Sequence, residues 1–219
     1  MSQPEPLLGW PGWRHLRLAV VVSLGGTVWF CLIYGGADAF TAHHHLRIRV
    51  HTEAELAIPF VPEAVVAYLS IYPLVLAAPF IVRGRREFLL MAWSLNLLIL
   101  VAGVSFLLLP GQLAYAPPAR FGVFPGLFRL ADEMNLTYNL VPSLHVALSL
   151  FCSLVFAARA GWTGRLLLLG WAAVIALSTL LTHQHHVLDV LTGGLLAVVI
   201  YRRVFLRLVA RDPAPRPGP

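Results

Sequence analysis

Leu18–Ala37 runs for 20 residues without a charged side chain, and Ala64–Val82, Phe88–Leu109 and Leu166–Thr182 repeat the pattern over 19, 22 and 17 residues. A bilayer core about 30 Å thick takes about 20 apolar residues of helix per crossing. Two shorter apolar runs, Val146–Ala158 and Val190–Tyr201, make six crossings the simplest count. Only 12% of the residues are charged, against 58% hydrophobic, and the mean hydropathy is +0.77. A soluble domain carries roughly 25% charged residues, so this chain has too little polar surface to stay dissolved. The expected fold is all-α, an integral membrane bundle of about six transmembrane helices. The spans fall at about 17–37, 60–82, 88–109, 140–158, 166–183 and 185–206, within a domain 16–206. An N-terminal segment 1–15 precedes it, and a tail 207–219 ending in RDPAPRPGP has the composition of disorder.

The two shorter runs carry the constraint that matters most. Thirteen residues after His145 and twelve after Asp189 give only about 20 Å of helix at 1.5 Å per residue. To cross, each helix must extend backwards through the polar residues at its head, which puts His145, His185 and Asp189 at the membrane boundary. Ionisable groups at that depth are costly unless they face a cavity or a partner, and so mark function by default.

The chain has no lysine, so its 16 cations are all arginine and they set the orientation. With six spans, 12 arginines, from Arg14 to Arg216, lie on one side, and only Arg47, Arg49, Arg120 and Arg129 lie on the other. The positive-inside rule then puts both termini in the cytoplasm and both polar motifs outside, the arrangement of a multi-pass protein of a bacterial inner membrane. The net charge of +6 is that cytoplasmic rim facing anionic lipid heads, and calls for no nucleic acid.

The first apolar segment exceeds the usual 7–15 residues of a signal peptide core and reads as a helix. His43, His44 and His45 belong to a solvated outer loop, with a metal site as the lesser reading. Pro62 suits a first helical turn, while Pro73 and Pro79 predict kinks. LFRLADEM, in the connection Pro110–Tyr138, predicts one short helix lying on the membrane. Cys31 and Cys152 fall in separate spans and read as free thiols.

Two motifs carry the chemistry. In VPSLH, Pro142 suits the first turn of a helix, Ser143 can cap it, and the helix N-terminus is an anion site with His145 in reach. In THQHHVLDV, His185 and Asp189 are four apart, on one helical face. The carboxylate can fix the imidazole tautomer and leave the other nitrogen free to attack. His186 and Asp189, three apart, could do the same, and spacing does not choose between them. A zinc site from His183, His185 or His186 with Asp189 is allowed but needs awkwardly adjacent ligands.

Together, PSLHVA and STLLTHQHHVLDVLTGG resemble the type 2 phosphatidic acid phosphatase superfamily, whose members act on lipid phosphates without a metal. The family's second motif, Pro-Ser-x-His, falls on Pro142, Ser143 and His145. Its third, Ser-Arg-x5-His-x3-Asp, falls on Ser178, His185 and Asp189, a register that selects His185 over His186. Thr179 stands where most members carry arginine, and the first motif, Lys-x6-Arg-Pro, gives way to AYAPPARF. Both departures are similar to the inositol phosphorylceramide synthase branch. FVP…YLSIY, NLVPSLHVAL and STLLTHQHHVLDV resemble bacterial membrane modules fused to dual-specificity phosphatases.

The resemblance implies a phosphoric monoester hydrolase or phosphotransferase that needs no cofactor and acts on a phosphorylated lipid drawn from the surrounding membrane lipids. His185 would attack phosphorus, Asp189 would orient it, and His145 would protonate the leaving alcohol. Ser143, Ser178, Thr179 and His183 would cradle phosphate oxygens. Arg120, with Arg129 and His183 as runners-up, would replace the missing cations. Phosphatase action is the first expectation and transfer to an alcohol the alternative. A non-enzymatic membrane protein handling metal or protons is a further alternative, disfavoured because the histidines cluster at one face.

Overall fold

The computed structural model describes residues 6–43, 45–118 and 120–211; His44 and most of the proline-rich tail lie outside them. Seven helices organise the chain, and no strand forms among the described residues. Helix α1 is Trp13–Ala42, with a π-turn at Cys31–Gly35. Helix α2 is Pro62–Leu76, followed by the single turn Ala78–Ile81. Next come α3 (Arg85–Leu108), α4 (Pro125–Met134), α5 (Leu144–Ala157) and α6 (Trp162–Leu181). Helix α7 is Val187–Val199, continued by a π-turn at Ile200–Phe205 and the helix Leu206–Arg211.

The core is built around α5, where Ala147, Phe151, Cys152, Val155 and Phe156 are wholly enclosed. Helices α6, α7, α3 and α2 pack around it, and α1 packs on α3. The outer faces are apolar: Val21, Leu24, Val28 and Leu32 on α1, Leu166, Leu167 and Leu177 on α6, and Leu191 and Leu195 on α7 are all exposed. Meanwhile Ser94, Ser149 and Ser153 are buried. An apolar surface of that extent over a core holding serine fits a lipid surround. Three helices, Trp13–Ala42, Arg85–Leu108 and Trp162–Leu181, are long and apolar enough to cross a membrane, while Pro62–Leu76 and Leu144–Ala157 are apolar but shorter.

Several boundaries differ from the sequence expectation. The second apolar run is interrupted at Ser70 and Ala77, three and two residues before Pro73 and Pro79, because each proline lacks an N–H and crowds the carbonyl four residues back. Helix α5 begins at Leu144 with Ser143 as its N-cap, so Pro142 precedes the helix instead of opening it. Helix α7 begins at Val187, so His185 lies in the turn before the helix and not on its face.

At one end of the bundle the arginines tie helix ends together. Arg86 Nη2 donates to the Leu208 carbonyl at 3.1 Å, and Arg159 pairs with Glu87. The opposite end gathers the start of α5, the end of α6 and the start of α7. Over it lie α4, the loop 45–61 and the stretches 109–118 and 120–124. Helix α4 buries Phe128 and Ala131 against Val65 and Tyr68 and exposes Leu127 and Leu130.

Candidate active site

The turn between α6 and α7 is held open by its own backbone. Thr179 O accepts from Gln184 N at 3.0 Å and from His185 N at 3.2 Å. His183 makes the reversal in the left-handed region, at φ 57°, a conformation a side chain adopts only when its surroundings hold it. The holding groups are the Ile58 carbonyl, which accepts from His183 Nε2 at 2.9 Å, and the Tyr115 ring, stacked at 3.9 Å. His183 thus spends its donor on backbone. Ser178 and Thr179 hydroxyls likewise donate to Ile175 O at 2.6 Å and Ala176 O at 2.8 Å, one turn back on their own helix.

That turn delivers His185 against Asp189. Asp189 Oδ2 accepts from His185 Nδ1 at 3.3 Å and from His186 N at 2.8 Å, and the Asp189 carbonyl accepts from Ser143 N at 2.9 Å. One residue therefore fixes an imidazole, caps α7 and ties α7 to the start of α5. Asp189 and Ser143 are fully buried and His185 nearly so. With Nδ1 donating to the carboxylate, His185 Nε2 keeps its lone pair, and it makes no hydrogen bond among the described residues. Ser143 Oγ accepts from Val146 N at 3.4 Å, the cap its position predicts.

His145, in the first turn of α5, has its ring centre 6.4 Å from that of His185. Tyr68 of α2 stacks on it at 3.9 Å and Tyr72 meets it edge-on at 6.5 Å. His145 Nε2 is buried with no partner among the described residues. The two imidazoles are thus neighbours whose ring centres stand too far apart for a direct bond between them. The two helices meet at Gly193, where an added Cβ would lie 2.5 Å from the Ser143 carbonyl oxygen.

His186 is excluded from that pair. Its Nε2 accepts from Ala114 N at 3.2 Å, its Nδ1 faces Glu55 Oε2 at 3.5 Å, and its ring lies between Tyr115 at 4.7 Å and His51 at 5.0 Å. Spacing in the sequence left His185 and His186 equivalent; these contacts commit His186 to the loops. Glu55 completes the strap, its Oε2 accepting from Val187 N at 2.9 Å while Oε1 accepts from Thr52 N at 3.1 Å and from the Thr52 hydroxyl. Burial alone would raise the Glu55 carboxyl pKa, but those hydrogen bonds and the neighbouring His186 outweigh it and hold it below its ordinary value.

A second polar run supports the turn from the side of α4. Asn135 Nδ2 donates to Gln184 Oε1, Gln184 Nε2 to Asp132 Oδ1 at 3.3 Å, and Tyr34 Oη to Asn135 Oδ1 at 3.2 Å. Asn139 Nδ2 donates to the Tyr34 carbonyl at 2.6 Å, anchoring the approach to VPSLH on α1.

The structure brings together His145, His185, Asp189 and Ser143, with Ser178, Thr179 and His183 shaping the turn beside them. It does not bring in Arg120, which is exposed and bonds to none of them, or Arg129, which is exposed and lies over the Phe121 ring at 5.3 Å. Sequence reasoning missed Glu55, His51, Tyr115 and Tyr68. The FVP…YLSIY resemblance touched Tyr68 and the AYAPPARF stretch holds Tyr115, in both cases without a role. No group of three or more His, Cys, Asp or Glu side chains among the described residues is arranged to hold a metal ion.

Residues 113–212 match the family model described as PAP2 superfamily. That stretch holds every motif residue above and leaves out α1 to α3, hence Glu55 and Tyr68. No curated protein and no solved structure matches the chain.

Proposed function

Since residues 113–212 make the chain a member of the PAP2 superfamily, whose chemistry is phosphoryl release or transfer, we propose that it is a membrane lipid phosphatase working through a phosphohistidine. The observation that carries the reading is the pair of imidazoles. His185 is bound at Nδ1 by Asp189 and unbonded at Nε2, and it faces the unpartnered Nε2 of His145 across 6.4 Å between ring centres.

In the first step the His185 Nε2 lone pair attacks phosphorus in line. The P–O bond to the lipid alcohol breaks, and His145, entering protonated at Nε2, gives that proton to the leaving oxygen. Asp189 stabilises the positive charge that develops on His185, the role of an orienting carboxylate. In the second step His145 takes a proton from water, the water oxygen attacks phosphorus, and the P–N bond breaks to return His185 and inorganic phosphate. An alcohol in place of that water gives transfer, the alternative outcome at the same intermediate. The likeness of AYAPPARF and of Ser178 with Thr179 to the synthase branch supports that alternative. The Ser143 end of α5 directs its N–H groups and helix dipole at the phosphoryl oxygens. From the 12-to-4 arginine split, the site opens on the outer, periplasmic face with both termini in the cytoplasm.

The test is a panel of phosphorylated lipids incubated with purified protein in EDTA, with free phosphate and new lipid products both measured. Acid-labile label on the wild type and none on His185→Ala is the expected result. Label retained by His185→Ala sinks the phosphohistidine.

A further inference from the structure

Tyr68 opens the YLSIY stretch but belongs to neither catalytic motif, lies outside residues 113–212 and yet touches the centre of the site. Its side chain is 1% exposed, and its hydroxyl is buried without a hydrogen-bond partner among the described residues. A buried tyrosine hydroxyl nearly always finds a partner. The ring is stacked on His145 at 3.9 Å and 21°, and a stacked phenol holds its oxygen within about a ring's breadth of the imidazole. His145 Nε2 is unpartnered as well. Two adjacent buried polar atoms with no partner among the described residues, beside the unbonded His185 Nε2, point to one polar ligand between them.

The electrostatics say what kind of donor that ligand meets here. No lysine exists in the chain, and Arg120 and Arg129 are exposed and bonded to neither histidine. Ser178, Thr179 and His183 have given their hydrogens to backbone carbonyls. Tyr68 is therefore a hydroxyl donor beside His145 with its hydrogen still to give.

We propose that Tyr68 is a phosphoryl-binding residue, its O–H donating to an oxygen of the phosphoryl group held between His145 and His185. The inference rests on the phosphohistidine reading and adds to it a neutral donor in place of a cation. It is placed by α2, whose interruption at Ser70 lies two residues beyond Tyr68. Tyr72, one turn on, is different: its hydroxyl has Met134 Sδ at 3.7 Å, and the side chain is 40% exposed.

The probe is orthovanadate, which adopts the five-coordinate geometry of in-line attack, titrated into detergent-solubilised full chain with binding followed by calorimetry. Wild type, His185→Ala, Tyr68→Phe, Tyr68→Leu and Tyr72→Phe are compared, each checked for its thermal unfolding midpoint. Tyr68→Phe keeps the stacked ring and loses only the oxygen. It is expected to unfold like wild type and to bind vanadate roughly tenfold to a hundredfold more weakly, the scale of one hydrogen bond to a charged group. Tyr72→Phe binds as wild type does. Wild-type affinity in Tyr68→Phe, with loss only in Tyr68→Leu, overturns the proposal and leaves Tyr68 as a prop for His145. Equal binding, or none, in wild type and His185→Ala overturns the phosphohistidine reading, and this inference with it.

Discussion

Replacing Gly193 by alanine adds one methyl group at the point where α7 meets the start of α5. The new Cβ would lie 2.5 Å from the Ser143 carbonyl oxygen and 3.3 Å from the Ser143 nitrogen and carbonyl carbon. A comfortable carbon-to-oxygen approach is about 3.3–3.6 Å, so the two backbones must part by about 1 Å. Both sides of the clash are main chain, and no side chain can swing away to relieve it. Parting them stretches the Ser143 N to Asp189 O bond, now 2.9 Å, and carries His185 and Asp189 away from His145. Overpacking of this kind costs about 1–3 kcal/mol, offset by at most about 1 kcal/mol from the helix preference for alanine. The rate should fall about 10²-fold, the penalty of a 1 Å misplacement between reacting groups. Gly194→Ala is the control, since its Cβ meets nothing closer than Leu150 Cδ2 at 3.9 Å, and it should keep full activity. Lipid phosphate turnover and thermal unfolding in detergent, measured on both variants, decide the matter. A wild-type rate in Gly193→Ala would refute the claim that contact between α5 and α7 sets the distance between the histidines.

Three other substitutions probe separate parts of the site. His185→Ala should abolish turnover and phosphate capture, while His186→Ala should keep capture and lose stability, because its ring is committed to the loops; the reverse pattern in a labelled-phosphate assay would move the nucleophile. Glu55 has a depressed pKa, so its contribution is present above the ordinary carboxylate value and lost as pH falls through the lower folded one. Glu55→Gln should cost about 1 kcal/mol at pH 7, the worth of a helix cap, and the gap to wild type should close in acid; unfolding curves at both pH values that stay equally far apart would refute it. A cysteine at Gly126 should react with an impermeant thiol reagent in intact cells and one at Gly84 should not, the opposite labelling pattern putting the site in the cytoplasm.

Much of the site could be read from the chain because its key groups are neighbours in sequence. Ser143 with His145, and His185 with Asp189, are held by contacts of two to four residues, which spacing alone reports. The choice between His185 and His186 was beyond spacing, since it is made by Ala114, Tyr115, His51 and Glu55, the last reaching the Val187 N–H across 132 residues of chain. Gly193 gave no signal either, being one glycine of a pair whose difference lies wholly in what stands opposite. The apolar runs announced the helices, but not that α5 and α7 would start late. Those starts are set by the Ser143 cap and by the turn through His183, both consequences of the fold around them. Arg120 shows the converse: its position in the chain suggested a phosphate contact, and the loop leaves it in the open.

The π-turn at Cys31–Gly35 has a hereditary consequence. A π-turn holds one residue more than the regular helix around it, and this one contains the Tyr34 carbonyl that receives Asn139 and so fixes the approach to Ser143. Deleting any single residue between Cys31 and Gly35 would restore an unbroken α-helical ladder and improve α1 as a helix. Trp13–Phe30 and Gly36–Ala42 would keep the faces they now present to α3, since the wide turn absorbs its extra residue without changing their phase, but the Tyr34 carbonyl would leave the place where Asn139 meets it. Lineages of this fold can therefore exchange residues freely along the lipid face of α1, whereas losing a residue at this turn would leave the helix and its packing in place and cost the approach to Ser143 its anchor.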